Sequence, residues 1–302
     1  MKKLATLFTT LTFLLFAGPV SAQQTSLNDA NLSGLSLRPI GPALNSGRIA
    51  DIAIHPTDES IMYTAVGSGG VWKTINAGTT WEPIFDGESS YSIGSVAIDP
   101  SLPDIIWVGT GEDVGGRHVG FGDGIYKSTD GGRTWENMGL EDSQHLSTII
   151  VHPENSDVVW VAAQGPLWTS GDQRGLYKTT DGGETWRKVL GNAEWTGVTD
   201  VVIDPRDPDR LYAATWDRHR TVAALMGGGP GSGLWKSEDG GETWEKLETG
   251  LPGGPLGKIG LAISPQKPDM VYAVIETIRT EGGVWMSEDR GESWRKMSDA
   301  VS

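Results

Sequence analysis

Thr179-Thr-Asp-Gly-Gly-Glu-Thr-Trp186 is one of five copies of a single phrase; the others are TINAGTTW from Thr74, STDGGRTW from Ser128, SEDGGETW from Ser237 and SEDRGESW from Ser287. They share Ser/Thr-x-Asp-x-Gly-x-Thr-Trp and end at Trp81, Trp135, Trp186, Trp244 and Trp294. A spacing of about fifty residues marks a repeat architecture. Each copy follows a Gly-aliphatic-aromatic run: GGVWKT, DGIYKS, RGLYKT, SGLWKS or GGVWMS. Further upstream lie IAIHP, VAIDP, IVHP, VIDP and AISP, and then a hydrophobic stretch holding Tyr63, Trp107, Trp160, Tyr212 or Tyr272. One unit is therefore four short β-rich stretches in fixed order, which predicts an all-β fold, a β-propeller of four-stranded antiparallel blades.

The phrase has a local structural explanation. In a tight turn between the third and fourth strands, Asp130, Asp181, Asp239 and Asp289 accept backbone N–H bonds, glycine supplies positive φ, and the Ser/Thr hydroxyls tie the ends. Asn76 keeps the acceptor in the first copy, while Arg290 and Ser293 are mild departures in the last. The terminal tryptophan then packs between blades.

These five phrases resemble the Asp-box, or bacterial neuraminidase (BNR), repeats, and the region from about Leu37 onward looks like that superfamily. Blade order and spacing look most like its sortilin N-terminal-like and xyloglucanase-like branch, often labelled glycosyl hydrolase with BNR repeats. The resemblance implies the propeller, with either a ligand-binding role or glycan hydrolysis, since fold does not fix function. Two departures bear on the second. Sialidases carry Arg-Ile-Pro near the start, whereas this chain has Arg38-Pro39-Ile40. Xyloglucan-active relatives place an Asp two residues before the Gly-Gly of the first blade's third strand, whereas Gly69-Gly70 follow Gly67-Ser68.

Lys2 and Lys3, an apolar stretch from Leu4 to Phe16 and Val20-Ser21-Ala22 read as a signal peptide over 1–22, cut after Ala22. The apolar stretch is shorter than the roughly 20 residues of a spanning helix. An exported chain, periplasmic or extracellular and free of the membrane after cleavage, is expected. There is no cysteine, so stability must come from packing between blades. A net charge of −15 with no basic stripe argues against nucleic acid. No P-loop, HExxH or dinucleotide fingerprint is present, and no cofactor or metal is expected.

After a flexible segment at 23–36, Leu37 to Ile54 aligns without a gap on Trp81 to Ile98, so 37–48 reads as a lone fourth strand and link. Blades follow at about 49–92, 93–145, 146–197, 198–257 and 258–302. The lone strand, with a fifth blade that owns its own fourth strand, predicts part of a larger ring of about six to eight blades; a five-bladed ring with a surplus outer strand is the alternative. The remaining blades or further domains of a longer protein are then partners.

Subtracting residues that recur in the repeat leaves Trp168, Trp195, Trp216, His118, His145 and His219. All fall on the face opposite the boxes, in loops joining second to third strands or in links between blades. Arg117, Arg174, Arg218, Glu112, Asp113 and Asp217 share that face, along with Asp123, Asp172, Arg220, Glu141, Asp142 and Glu194. Rigid strands presenting variable polar and aromatic loops make a ligand surface. Arg117, His118, His145, Trp168, Arg174, Trp195, Trp216, Arg218 and His219 are candidate ligand contacts; Glu112, Asp113 and Asp217 are candidate acids or bases. Each has a bland alternative: a tryptophan as lid, an Arg or His paired with nearby acids. The favoured expectation is a module binding a glycan, protein or peptide; the alternative is a glycoside hydrolase, which needs two carboxyls flanking the bond.

Overall fold

The computed structural model describes residues 47–113, 116, 119–171, 173–191, 194–277 and 281–298. The expected signal peptide, the segment 23–36, nearly all of the lone strand, and Arg117, His118 and Asp172 lie outside the described residues.

The chain is a series of antiparallel blades, as the repeat requires. Blade one holds β1 (Ile49–Ile54), β2 (Met62–Val66), β3 (Gly70–Thr74) and β4 (Glu82–Pro83). Blade two holds β5 (Ile93–Ile98), β6 (Ile106–Thr110), β7 (Ile125–Ser128) and β8 (Glu136–Asn137); blade three holds β9 (Leu146–Val151), β10 (Val159–Ala163), β11 (Gly175–Thr179) and β12 (Arg187–Leu190). In blade four, β13 (Thr196–Asp204), β14 (Asp207–Arg220), β16 (Gly233–Ser237) and β17 (Glu245–Leu247) form the sheet, and β15 (Leu225–Gly227) pairs with the end of β14. Blade five holds β18 (Leu256–Ile263), β19 (Val271–Thr277), β20 (Gly283–Ser287) and β21 (Arg295–Ser298). The Trp216 to Arg220 cluster is therefore strand rather than loop. Its residues pair with Thr196 and Gly197 on one side and with β15 on the other, so their backbone bonds are met inside a long hairpin.

The apolar residues bury between sheets. Four cores recur, one per junction: Tyr63, Ala65 and Val71 of blade one pack against Ile93, Val96 and Ile106 of blade two. Trp107 and Ile125 meet Leu146 and Ile149; Trp160 and Leu176 meet Val198 and Val201; Tyr212 and Leu234 meet Ile259 and Trp285. Such stacking gives a repeat protein stability through nearest neighbours.

The second-strand aromatic of each of the first four blades also reaches the Asp box of the next. Tyr63 Oη donates to Gly131 O at 3.1 Å, Trp160 Nε1 to Gly240 O at 3.1 Å and Tyr212 Oη to Arg290 O at 2.8 Å. The Trp107 ring fits so closely on blade three's box that a Cβ at Gly183 would stand 2.7 Å from it. Third-strand lysines add a second tie: Lys73, Lys127 and Lys178 donate to Gly131 O, Gly182 O and Gly240 O, each at 2.8 Å. The acceptors belong to positive-φ turn residues, which aim the carbonyl outward.

Inside each box the turn chemistry is as the phrase dictates. In blade two, Asp130 Oδ1 accepts Arg133 N, Thr134 N and Ser128 Oγ, while Oδ2 accepts Thr134 Oγ1. Hydroxyl bonds from Thr179 and Thr185 hold the Asp181 carboxyl down at about 2. Asp239 sits at about 2 through Thr243, and Asn76 accepts Thr80 N in the first copy. Trp135 and Trp186 donate to Ile84 O and Met138 O of the preceding blade, whereas Trp244 and Trp294 donate to carbonyls of their own turns, Gly241 O and Gly291 O. Asp289 follows the same pattern through Ser293.

A second clasp joins the first strands, which are bulged at one shared slot. Asp51 accepts Ile52 N and, across the junction, Val96 N; Asp200 accepts Val201 N and, across its junction, Leu261 N at 2.7 Å. Burial pushes the Asp200 carboxyl up to about 6 against these bonds.

Ile52 of blade one is 53% exposed, although its counterparts Val96 and Val201 are buried, and Ile49, Ile54 and Trp81 are exposed beside it. That flank is what an arc of a larger propeller presents.

Replacing Tyr63 or Tyr212 with Phe deletes one hydrogen bond across a junction and is expected to cost about 1 kcal/mol in urea unfolding. Tyr272→Phe, whose blade has no following box among the described residues, should stay within about 0.5 kcal/mol of the parent. The folded state holds Asp200's proton more tightly than the unfolded chain, so its contribution is fully present below pH 4 and lost as pH rises through about 6. The stability of the parent relative to Asp200→Asn should accordingly be greater at pH 4.5 than at pH 7.5.

Candidate functional site

Boxes occupy one face of the arc, because they join third and fourth strands. The loops between second and third strands, and the links between blades, occupy the other. On that face the sequence-derived candidates divide into interior groups and exposed ones.

The interior group centres on Asp113. Lys258, beside the bulge of β18, donates to Asp113 Oδ1 at 2.6 Å, and Gln164 Nε2 donates to the same oxygen. Arg218 Nη1 donates to Gln164 Oε1 at 2.5 Å. Arg174 donates to Gln164 O at 2.9 Å, to Thr169 O at 2.7 Å and to Pro166 O. Blades two, three, four and five thus meet through one polar network. Burial pushes the Asp113 carboxyl up, and Lys258 draws it back. Burial brings Arg174 down to about 10, aided by Arg218, and brings Arg218 to about 10 against the pull of Asp113. His145, also interior, falls to about 3 through burial and then Arg218, so it is neutral at ordinary pH. Trp216 is buried with the Arg218 guanidinium 5.1 Å above its ring. Partly buried Trp195 lies 3.9 Å from His219 and 5.6 Å from the Arg174 guanidinium. These aromatics and cations pack against one another, which leaves Trp168, 45% exposed, as the solvent-facing member of the three tryptophans.

Asp217 and Glu112 have hydrogen-bond partners of their own. Asp217 accepts Thr196 Oγ1 at 2.5 Å and Gly231 N at 2.8 Å, while its own N–H donates to Ser232 Oγ. It bolts the blade-four hairpin, and a Cβ at Gly231 would lie 2.3 Å from its oxygen. Glu112, 2% exposed, accepts Arg48 Nη2 at 2.5 Å, Ser68 Oγ at 3.1 Å and Gly120 N at 3.0 Å. Its Oε1 stands 2.7 Å from where a Cβ at Gly67 would be, so its carboxylate fills the space that a side chain at that position would take. Glu141, Asp142 and Glu194 are exposed.

Beside Glu112 the loop face opens into a cavity of about 510 Å³ lined by Ser68, the Ser89–Ser92 link and the Val119–Asp123 loop. Tyr91 and Phe121 stand at it with 67% and 72% of their surface exposed. The repeat comparison, applied to tryptophan and histidine, passes over both. Gln164, Lys258 and Arg48 were likewise hidden, since no pattern in the sequence announces partners in different blades. Among the described residues no three His, Cys, Asp or Glu side chains converge on a metal position, and no helix is long and apolar enough to cross a membrane.

No family model matches the chain. It is similar, at 26% identity over 230 residues, to the oligoxyloglucan-reducing end-specific xyloglucanase of Emericella nidulans, covering 70% of this chain and 24% of that enzyme. A xyloglucanase of Acetivibrio thermocellus is 25% identical over 245 residues, covering 70% of this chain and 26% of the other. Among solved structures, the GH74 xyloglucanase from Xanthomonas campestris superposes with a TM-score of 0.62 at 18% identity, over 83% of this chain and 38% of that one. The structural likeness shows the fold, and the chain spans about a quarter of the length of the curated relatives it matches, 24% in the first case.

Lys258→Met strands the half-buried Asp113 carboxylate and is expected to cost about 1–3 kcal/mol, less than a fully buried pair because water still reaches it. Adding Asp113→Asn should recover most of that loss in a double-mutant cycle of chemical unfolding. A loss of the same size in the double variant would mean the pair is incidental.

Proposed function

We propose that this chain is part of an exported, glycan-active propeller of the xyloglucanase kind, a glycoside hydrolase acting on a neutral β-glucan. The observation that carries this is the similarity to enzymes named xyloglucanases, which runs through 70% of the chain rather than through the boxes alone. It favours hydrolysis over the non-enzymatic interaction module that the residues alone favoured. The N-terminal charged, apolar and small-residue series supports export.

Gly67 departs from the aspartate of xyloglucan-active relatives, and Glu112 offers a substitute because its carboxylate fills the adjoining space. Glu112 is the acid or base in this reading, with Arg48 and Gly120 N–H fixing its position. Hydrolysis needs a second carboxyl about 5–9.5 Å from the first, according to whether configuration is retained or inverted. Asp113 and Asp217 are tied to Lys258 and to Thr196, so the second carboxyl is assigned to blades of the longer protein. Trp168 is an outlying sugar contact on the same face.

The test is release of reducing ends from tamarind xyloglucan by the full-length protein. Turnover is expected, and Glu112→Gln should lower kcat by about 10²–10⁴, the usual worth of a positioned acid or base, with the unfolding midpoint checked in parallel. Absence of turnover on xyloglucan and on other neutral β-glucans overturns the reading.

A further inference from the structure

The cavity between blades one and two has a composition of its own. Its walls supply hydroxyls from Ser68, Ser89, Ser90 and Ser92, one carboxylate from Asp123, and the rings of Tyr91 and Phe121. Among the described residues no lysine or arginine lines it. At about 510 Å³ it falls among the roughly 300–1,000 Å³ sites that take small ligands.

The site is built rather than incidental. Ser92 Oγ donates to Gly67 O and Gly120 O at 3.0 and 2.9 Å, tying the loops of both blades together. Gly111 N donates to Ser92 O at 2.6 Å, and Gly122 N to Gln144 O at 2.8 Å. The loop runs so close to its neighbours that a Cβ at Gly120 would meet Ser92 Oγ at 2.5 Å. Asp123 Oδ2 accepts Ser89 Oγ and Tyr126 Oη, the latter at 2.9 Å, whereas Oδ1 has among the described residues only a 3.4 Å contact from Thr110. A carboxylate held in place by Ser89 and Tyr126 thus lines a pocket of hydroxyls. Two rings held in solvent above it forgo the burial that aromatic side chains ordinarily gain.

We propose that this cavity is a binding subsite for a neutral pyranose unit, with its apolar C–H face on Tyr91 or Phe121 and a pair of its hydroxyls on Asp123 and the serines. The ring faces suit a sugar's axial hydrogens, and the carboxylate accepts from its hydroxyls as a charged acceptor, which makes the stronger kind of hydrogen bond. An anionic sugar meets Asp123 with no cation among the described lining residues to offset it. The proposal rests on the glycan reading above and adds a location and the residues that contact the sugar.

Binding is measured by isothermal titration with a xyloglucan heptasaccharide and cellotetraose, and with tetragalacturonate as the anionic probe. Tyr91→Ala, Phe121→Ala and Asp123→Asn are compared with Leu102→Ala, an exposed side chain on the box face away from the cavity, and unfolding midpoints confirm the fold of each. Expected are binding of a neutral oligosaccharide, a weakening of about tenfold for Tyr91→Ala or Phe121→Ala, equivalent to one aromatic contact, a similar loss for Asp123→Asn, and no binding of tetragalacturonate. If neutral glycans bind equally well to all three cavity variants, the subsite is wrong and the glycan reading stands. If only tetragalacturonate binds, the assigned charge class is wrong, and if no oligosaccharide binds, the subsite falls together with the glycan reading.

Discussion

The contact between a second-strand aromatic and the Asp box of the following blade is the constraint on which the rest of the structure depends. The box turns the chain tightly and presents a backbone carbonyl from a positive-φ residue; Tyr63, Trp160 and Tyr212 each donate to such a carbonyl. Each of these rings also belongs to the apolar core of its junction, so one side chain fixes both packing and hydrogen bonding. Blade-to-blade orientation follows, and with it the placing of every loop on the opposite face.

Holding one face rigid leaves the other open to vary. Box carboxylates are occupied by their own turns: Asp181 and Asp239 are held near the bottom of the carboxylate range by the hydroxyls beside them. They are poor proton carriers at neutral pH, and chemistry has to lie elsewhere. On the loop face, the buried network about Asp113 and Gln164 links four blades, and Glu112 links Arg48, Ser68 and Gly120. Between these supports lies the cavity with Tyr91 and Phe121 at its mouth.

The architecture was legible in the sequence because the repeat carries it: five copies of a turn phrase, each with its aromatic and its third-strand run, dictate blades and their order. The functional surface was legible only in part. Subtracting repeated tryptophans and histidines found Trp168, but it also singled out Trp216 and His145, which, like Arg174 and Arg218 on the same face, are unrepeated because they fill the interior between blades. Uniqueness in a repeat marks local packing as readily as ligand contact. The Trp216 to Arg220 run looked like a loop since its polar residues break alternation, yet pairing on both sides makes it strand. Lys258 and Asp113 lie 145 positions apart, and nothing in either neighbourhood foretells their contact. Glu112 at Gly67 is likewise a meeting of two loops, visible only once the blades are assembled.

The separation of a structural box face from a ligand-bearing loop face is tested most directly by a crystal structure of the protein with a xyloglucan oligosaccharide. Sugar density on the loop face, with rings against exposed aromatics between blades one and two, is the result this account predicts. Density confined to the box face, or to the uncovered flank of blade one at Ile52 and Trp81, would contradict it.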